Sequence, residues 1–425
     1  MTDTARPEQA LQSMRVRDFY LGRQPVLDRQ QALFGYELLF RGAPTGPAEI
    51  DSGLSATAAV IAHAAQLGLG RAIGDSTAFI NVDSDVLHSD IFAFLPRDRT
   101  VLEIGAGVEA TDALLARMQL LGRHGFRFAA GAVADNASLQ RLLPAVDFVK
   151  VDVRAAPTGA LPGLASHLRQ AGKKLVAEKV ETVAHYKSSL DLGFDYFQGF
   201  HFATPSVLGG RKLSPSQMAM LELMGMLATE ADNADIEKTL KRDAPLALNL
   251  LRVVNTPAVG TGRRIESLHQ ALLILGRRQL ARWLQILLFA EPATRGQGGS
   301  PLLTLATTRA RLMELLAQRL RPGQRGVADV AFTVGIMSLM DVLFGIPMAD
   351  LIEQIHVADE VSGALLKRSG FFGELLRLTE HIEQMDPADG SVMPVLGELA
   401  IGGDDLGELE MEAFEWSDTV VRYAI

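Results

Sequence analysis

Polar residues end six of the short apolar runs in the first half of the chain, and their chemical types suit metal and phosphate chemistry. They are Glu37, Asn81, Glu103, Lys150 with Asp152, Glu178 and Gln198. Carboxylate and amide oxygens bind hard divalent cations, and a lysine ammonium pairs with phosphate. Any one of these residues alone is more often a solvated strand end or half of a structural ion pair. Six in step favour one shared site.

Such a site requires elements that bring the six ends together. From Arg17 to about Pro205, apolar runs alternate with helical stretches, which is typical of a mainly parallel sheet. Eight runs favour a closed (β/α)8 barrel, with functional side chains at the carboxyl ends of its strands. The runs are Asp18–Gly22, Gly35–Phe40, Ala78–Val82, Thr100–Ile104, Phe126–Ala130, Phe148–Val151, Lys174–Ala177 and Tyr196–Gln198. Too few residues separate the first two for a crossover helix, so we predict an early antiparallel strand, with an open doubly wound sheet as the alternative fold.

Beyond Pro205 the pattern indicates helices throughout. Leu and Met recur at helical spacing in Met218–Leu227, Leu246–Val254, Leu268–Leu275 and Leu302–Leu320. We therefore predict an α/β barrel followed by a compact all-α bundle. The predicted division is an N-terminal extension at 1–16, a barrel at 17–205, a helical domain at 206–385 and an acidic C-terminal tail at 386–425.

Composition excludes several classes of site and partner. The 425 residues include no cysteine, which excludes disulfide scaffolds, thiolate zinc sites, iron–sulfur clusters and cysteine nucleophiles. The net charge of -9 disfavours a surface that binds nucleic acid. Residues 386–425 hold ten acids and one base, so this tail accounts for the whole net charge. It is either a solvated segment or one that docks on a basic surface of a partner or of its own chain.

The distribution of apolar residues predicts a cytoplasmic protein. No apolar run approaches the roughly 20 residues that a membrane-spanning helix needs. The polar N-terminus, MTDTARPEQA, does not resemble a signal peptide. We therefore expect no membrane insertion.

The tract Gly35-Tyr-Glu37-Leu-Leu-Phe-Arg41 resembles the signature of EAL-domain cyclic di-GMP phosphodiesterases. In this resemblance Glu37 is the name-giving glutamate and Arg41 is the arginine that contacts phosphate. The match continues in order with Asn81, Glu103, Lys150 and Asp152, Glu178 and Glu181, and Gln198, and it covers almost all of residues 18–205. The family implies a (β/α)8 barrel with an antiparallel early strand that binds a cyclic dinucleotide over two Mg2+ or Mn2+ ions.

The sequence departs from this family at the residues that bridge the metals. Where the family has paired aspartates, this chain has Gly131 and Ala132, and the central alanine of the signature is Leu38. Two-metal hydrolysis needs anionic ligands that hold two cations about 4 Å apart. Asp135 would have to swing in from the following loop to replace them. We therefore expect no catalytic residue and no metal cofactor.

Some binding capacity remains in the predicted site. Glu37, Asn81 and Glu103 are residual candidates for holding one Mg2+ weakly. Arg41, Lys150 and Gln198 are candidates for contacting the phosphates and a base edge of a cyclic dinucleotide. Without metals much of the phosphate charge goes uncompensated, so a retained but empty cleft is the alternative.

The helical half resembles the HDOD domain, a module related to HD phosphohydrolases. The resemblance rests on the tracts at 246–260 and 265–276 and spans roughly 205–385. In the segment 332–341, Ser338 and Leu339 stand where an HD enzyme would show His-Asp, and none of the nine histidines is followed by aspartate. An HD metal centre needs that pair as adjacent ligands, so we expect none here.

Together these features predict a degenerate EAL-HDOD signalling protein that acts by protein–protein interaction. The resemblance implies a cyclic di-GMP-related pathway controlling motility, biofilm formation or surface attachment. One alternative is a weak phosphodiesterase that uses Mg2+ or Mn2+ and yields a linear dinucleotide. Another is a sensor that binds cyclic di-GMP without turnover. The sequence leaves the partner and the oligomeric state open.

Overall fold

The computed structural model consists of an N-terminal barrel and a C-terminal set of helices. It describes residues 19–42, 69–82, 84–88, 95–132, 137–155, 159–203, 215–229, 231–255, 265, 267–290, 300–355, 357–384, 401 and 403–424. All structural statements below concern these residues. The predicted N-terminal extension at 1–16 lies outside them.

Eight strands close into one barrel, as the sequence predicted. They are β1 Phe19–Asp28, β2 Leu33–Gly42, β3 Thr77–Val82, β4 Thr100–Ile104, β5 Arg127–Ala132, β6 Phe148–Asp152, β7 Lys174–Glu178 and β8 Tyr196–Gln198. β1 is antiparallel to both of its neighbours, β2 and β8, and the other pairs are parallel. The predicted early antiparallel strand is therefore confirmed, and the alternative of an open doubly wound sheet is wrong.

The β1–β2 hairpin extends further than its apolar pattern indicated. The first predicted run ends at Gly22, whereas β1 continues to Asp28. The Asp28 carboxylate accepts hydrogen bonds from the backbone amides of Gln30 and Ala32, at 2.9 and 2.8 Å. Gln31 adopts a left-handed φ of 61°. These local interactions stabilise the tight turn between β1 and β2. Pairing with β2 therefore extends β1 through polar residues that interrupt its apolar pattern.

Short helices surround the barrel, and apolar side chains close its floor. The described helices here are α1 Leu69–Ile73, α2 Ser84–His88, α3 Asp112–Arg123, α4 Ala137–Leu142, α5 Ala160–Gln170 and α6 Val183–Asp191. The floor cluster comprises Val26, Phe79, Val101, Ala129, Phe148 and Val176. The rings of Phe79 and Phe148 meet edge-on with centroids 5.5 Å apart. This packed floor leaves the opposite end of the barrel for polar groups.

The second half is helical, as predicted. Its described helices are α7 Pro215–Ala228, α8 Asn233–Arg242, α9 Ala244–Val254, α10 Leu268–Ala290, α11 Pro301–Leu320, α12 Arg325–Met337, α13 Met340–Phe344, α14 Met348–Ile355, α15 Asp359–Lys367, α16 Gly370–Gln384 and α17 Gly403–Ala424. A break in α10 falls at Gly276, whose φ is 68°. By length and composition the stretch Arg325–Phe344 could cross a membrane. However, 67% of its most apolar 18 residues are buried inside the fold, as in a core helix.

The helix α17 lies within the predicted acidic tail and packs against β1, α1 and α11. Its charged residues form ion pairs with both halves of the molecule. The pairs are Arg23–Asp418, Arg71–Glu415, Arg311–Glu412, Arg319–Asp405 and Arg422–Asp75. This part of the acidic segment therefore lies on a basic surface of its own chain. Residues 385–400, which connect α16 to it, are outside the described part.

Candidate functional site at the barrel mouth

The ammonium of Lys150 is the centre of the polar cluster inside the barrel. Its Nζ lies 2.7 Å from Glu37 Oε2, 2.7 Å from Glu103 Oε2 and 3.0 Å from Glu178 Oε1. Side chains alternate along β6, so Lys150 points inward like Phe148, two residues earlier. Its side chain is 0% exposed. Four strands, β2, β4, β6 and β7, thus contribute to one buried charge cluster.

Amide side chains complete the cluster around Glu37. Asn81 Nδ2 donates to Glu37 Oε1 at 2.7 Å, and Gln198 Nε2 donates to Glu37 Oε2. Gln198 Nε2 also donates to Gln24 Oε1 at 2.6 Å. Gln24 was not among the residues predicted from the sequence, although it faces Glu37 across the β1–β2 pair. The alternation of side chains along β1 could have identified it, because Gln24 lies two residues from Val26 and therefore on the same inward face of the strand.

The carboxyl groups of the cluster differ in their electrostatics. Burial alone would raise the pKa of Glu37, but the Lys150 ammonium and hydrogen bonds from Lys150, Gln198 and Asn81 lower this pKa overall. Burial raises the pKa of Glu103 to about 8, opposed by Lys150 and reinforced by the other glutamates. Burial would lower the pKa of Lys150, but the surrounding carboxylates raise it well above its usual value. Lys150 is therefore charged at neutral pH.

Asp152 lies at the rim, apart from this cluster. Its carboxylate pairs with Lys179 at 2.7 Å and accepts hydrogen bonds from the backbone amides of Arg154 and Ala155. Burial would raise the pKa of Asp152, but Lys179 and the two amides lower it. The structure thus brings together six of the seven predicted mouth residues and gives Asp152 a local structural role.

The end of β5 contributes no oxygen ligand. Gly131 and Ala132 occupy it, and Gly131 is in register with Lys150 on β6. A Cβ added at Gly131 would stand 3.0 Å from the amide nitrogen of Ala106 and 3.1 Å from its Cβ. Asp135, which the sequence left as a replacement ligand, is outside the described residues, as is the side chain of Arg41 at the end of β2.

These residues do not fit a pair of divalent cations. The carboxylates that converge at the mouth already bind an ammonium, and the described chain brings together no set of three acidic or imidazole groups suited to a metal. A bridging pair of ions needs shared anionic ligands between them. Neither hydrogen nor a methyl group at positions 131 and 132 supplies one. The residual candidates Glu37, Asn81 and Glu103 do lie together, but around Lys150 and its hydrogen-bond network.

In the helical half, the Arg309 guanidinium contacts the residues at the predicted HD-like position. Arg309 Nη1 donates to Ser338 Oγ at 2.7 Å, and Arg309 Nε donates to Glu383 Oε1 at 2.9 Å. Ser338 Oγ in turn donates to the Gly335 carbonyl at 2.6 Å. Leu339 is 3% exposed and belongs to the helical core. Serine and leucine here leave no imidazole–carboxylate pair for a metal.

Comparison with protein families identifies two regions of similarity, and comparison with individual proteins gives relatives over nearly the whole chain. The EAL domain family matches residues 8–205, and the HDOD domain family matches residues 214–359. The cyclic di-GMP phosphodiesterase CdgJ of Vibrio cholerae is 29% identical over 408 residues, which cover 95% of this chain and 93% of that protein. The uncharacterized protein YuxH of Bacillus subtilis is 26% identical over 405 residues, covering 93% of this chain and 97% of that protein.

Solved structures of EAL proteins each match less than half of the chain. A standalone EAL protein from Vibrio cholerae O395, solved in its c-di-GMP-bound form, shares 22% identity and covers 44% of this chain and 92% of its own, with a TM-score of 0.36. The PaMucR phosphodiesterase, solved as a c-di-GMP complex, shares 21% identity and covers 48% of this chain and 100% of its own, with a TM-score of 0.37.

Proposed function

The chain joins an EAL domain to an HDOD domain, and from this premise we propose that it is a non-catalytic signalling protein that binds a protein partner. The EAL domain connects it with cyclic di-GMP signalling. The proposed setting is the cytoplasm, in an output such as motility, biofilm formation or surface attachment. Both domains keep the packing of their folds, while Gly131 and Ala132 in one and Ser338 and Leu339 in the other replace metal-binding side chains, which favours a role in recognition.

One observation carries this proposal. Lys150 is fully buried within 3.0 Å of three carboxylates, and the neighbouring strand β5 ends in Gly131 and Ala132. A divalent cation at this point would have to displace a buried ammonium and would find no bridging anion. Hydrolysis of a phosphodiester without metals would leave water unactivated and the phosphate charge uncompensated. These side chains therefore favour a barrel that does not hydrolyse cyclic di-GMP.

The second candidate is a weak phosphodiesterase. It is favoured by the 29% identity with a protein named a cyclic di-GMP phosphodiesterase over nearly the full length of both chains. In that case Glu37, Asn81 and Glu103 would hold one Mg2+ or Mn2+ ion after Lys150 moves aside. Lys150 and Gln198 would then contact the dinucleotide, together with Arg41.

Product analysis separates these two candidates. The purified full chain is incubated with cyclic di-GMP and either Mg2+ or Mn2+, and the linear dinucleotide is quantified by chromatography beside an active EAL phosphodiesterase. We expect no product above that of heat-denatured protein. Turnover that Glu37→Ala abolishes would establish the enzyme instead.

Calorimetry with cyclic di-GMP tests the sensor alternative on the same preparation. Saturable binding without product, weakened by Arg41→Ala or by Gln198→Ala, would assign the barrel mouth a ligand rather than a reaction. The absence of binding would leave the protein-recognition role, which is then tested by crosslinking in the native cell with a surface-directed reagent.

A further inference from the structure

A cleft in the helical domain lies away from the barrel mouth and from the Arg309 cluster. It has a volume of about 740 Å3 and forms where the last turn of α11, the loop 321–324 and the first turn of α12 face α10. A second cleft of about 700 Å3 continues along α10 and α12 and shares Arg278, Gln279, Arg325 and Asp329 with the first. Each volume falls in the roughly 300–1,000 Å3 range typical of small-molecule sites.

Positive charge predominates in this continuous cleft. Its charged lining consists of four arginines, Arg278, Arg282, Arg321 and Arg325, and two carboxylates, Glu314 and Asp329. The two carboxylates are already neutralised. Arg282 donates to both oxygens of Glu314 at 2.8 Å, and Arg278 donates to Asp329 at 3.1 Å. The excess positive charge therefore belongs to Arg321 and Arg325.

These two arginines are open to solvent, and Arg321 also borders a neighbouring cleft lined by Asp359, Glu360 and Phe371. Both are exposed, and within the described part of the chain neither forms an ion pair with an acidic residue. The guanidinium carbon of Arg321 lies 3.8 Å from the centre of the Phe371 ring. Stacking on a ring fixes the guanidinium plane and leaves its N–H groups free at the edges, which is a favourable preparation for binding an oxyanion.

We propose that this cleft binds a phosphorylated small molecule of the nucleotide class, with phosphate oxygens between Arg321 and Arg325. Guanidinium groups bind phosphate in bidentate geometry. The same wall carries three side-chain amides, Gln279, Gln318 and Gln324. Amides both donate and accept hydrogen bonds, so they suit the edge of a base. The inference does not depend on the state of the barrel mouth.

Calorimetry on the full chain tests this site with guanosine diphosphate and with inorganic pyrophosphate as probes. We expect saturable binding of both probes, tighter for the nucleotide and weakened by added salt. The double variant R321A/R325A should weaken binding about 100-fold, since each charge-assisted contact contributes about tenfold. The control variant R377A removes an exposed arginine of α16 outside the cleft and should bind like the wild type. Circular dichroism confirms that each variant is folded.

Three results would overturn the proposal. The first is absence of binding of both probes at millimolar concentration. The second is unchanged nucleotide binding in R321A/R325A, which would place the ligand elsewhere, including at the barrel mouth. The third is binding of a hexaglutamate peptide through the same arginines without binding of either phosphate probe, which would make the cleft a site for an acidic protein segment.

Discussion

Lys150 is buried with three glutamates around its ammonium, and removing one side of such a cluster leaves the other side as uncompensated buried charge. The variant Lys150→Met keeps the length of the side chain without the charge. We expect it to lower the free energy of unfolding by about 3–5 kcal/mol. Added Mn2+ should raise its melting temperature, because the carboxylates would then lack a cation. Chemical denaturation and thermal scans with and without Mn2+ measure both effects.

Lys179→Met is the matched control for this variant. Lys179 pairs with Asp152 at the rim and its side chain is 57% exposed, so its loss should cost less than about 1 kcal/mol. It should also create no response to Mn2+. Equal destabilisation of the two variants, or a Mn2+ response in the wild type, would contradict the central role of Lys150.

The raised pKa of Glu103 predicts a pH dependence of stability with a definite sign. The folded pKa is about 8, against 4.5 for an ordinary glutamate, so between these values the unfolded chain has released a proton that the fold retains. The contribution of Glu103 to stability therefore falls as pH rises through this window, by at most about 1.4 kcal/mol per pH unit. Glu103→Gln should flatten the decline from pH 5 to pH 8. Denaturation curves at each pH decide this, and an unchanged slope would contradict it.

Most of the candidate site follows from residue types and strand ends, but its internal partnerships do not. Six mouth residues converge because the carboxyl ends of parallel strands meet at one rim. The sequence could not indicate that the Lys150 ammonium would pair with three glutamates instead of remaining available to bind phosphate. Those contacts depend on side-chain packing inside the barrel, which strand ends alone do not specify.

At the scale of elements, α17 carries a buried carboxyl group, one oxygen of which has no hydrogen-bond partner among the described residues. Glu410 is 1% exposed, and its Oε2 forms no hydrogen bond within the described chain. It lines a cavity of about 60 Å3 between the β1–β2 hairpin and α11, together with Tyr36, Arg309 and Glu383. Burial raises the pKa of Glu410 well above its usual value. The contact between α17 and the hairpin is therefore most stable while this group is protonated.

Glu410→Gln should accordingly stabilise the protein more as pH rises. The wild type loses stability above about pH 4.5, where the unfolded chain releases this proton and the fold resists the release. The glutamine variant has no proton to lose, so its melting temperature should exceed that of the wild type at pH 8 and match it near pH 4.5. Glu408→Gln, exposed on the same helix, is the control and should shift the melting temperature little. A larger benefit at low pH would contradict this account.

At the scale of the whole molecule, the same helix completes two hydrophobic cores. Met411 and Phe414 belong to the core that surrounds the barrel, whereas Leu406, Ala413 and Val420 belong to the helical core. The Arg23 guanidinium lies between the rings of Phe414 and Tyr36, at 3.9 and 4.4 Å, and pairs with Asp418 at 3.3 Å. The acidic composition of the segment hid this apolar pattern, because solvated acids alternate with buried residues along α17. Sequence reasoning therefore predicted the barrel and the bundle but not the element that joins them.

A chain that ends at Gln384 tests whether the two halves depend on each other through α17. Each buried apolar side chain of the helix contributes about 1.5–3 kcal/mol, so its removal should lower the stability of barrel and bundle alike by several kcal/mol. The full chain should unfold in one cooperative transition, so Phe414→Ala and Leu406→Ala should each lower the shared midpoint of barrel and bundle. Circular dichroism combined with limited proteolysis and fragment identification follows each half separately.

Arg71→Ala, which removes an exposed ion pair with Glu415, is the control and should change stability by less than about 1 kcal/mol. A truncated chain whose barrel melts as in the full chain would show that the halves are independent.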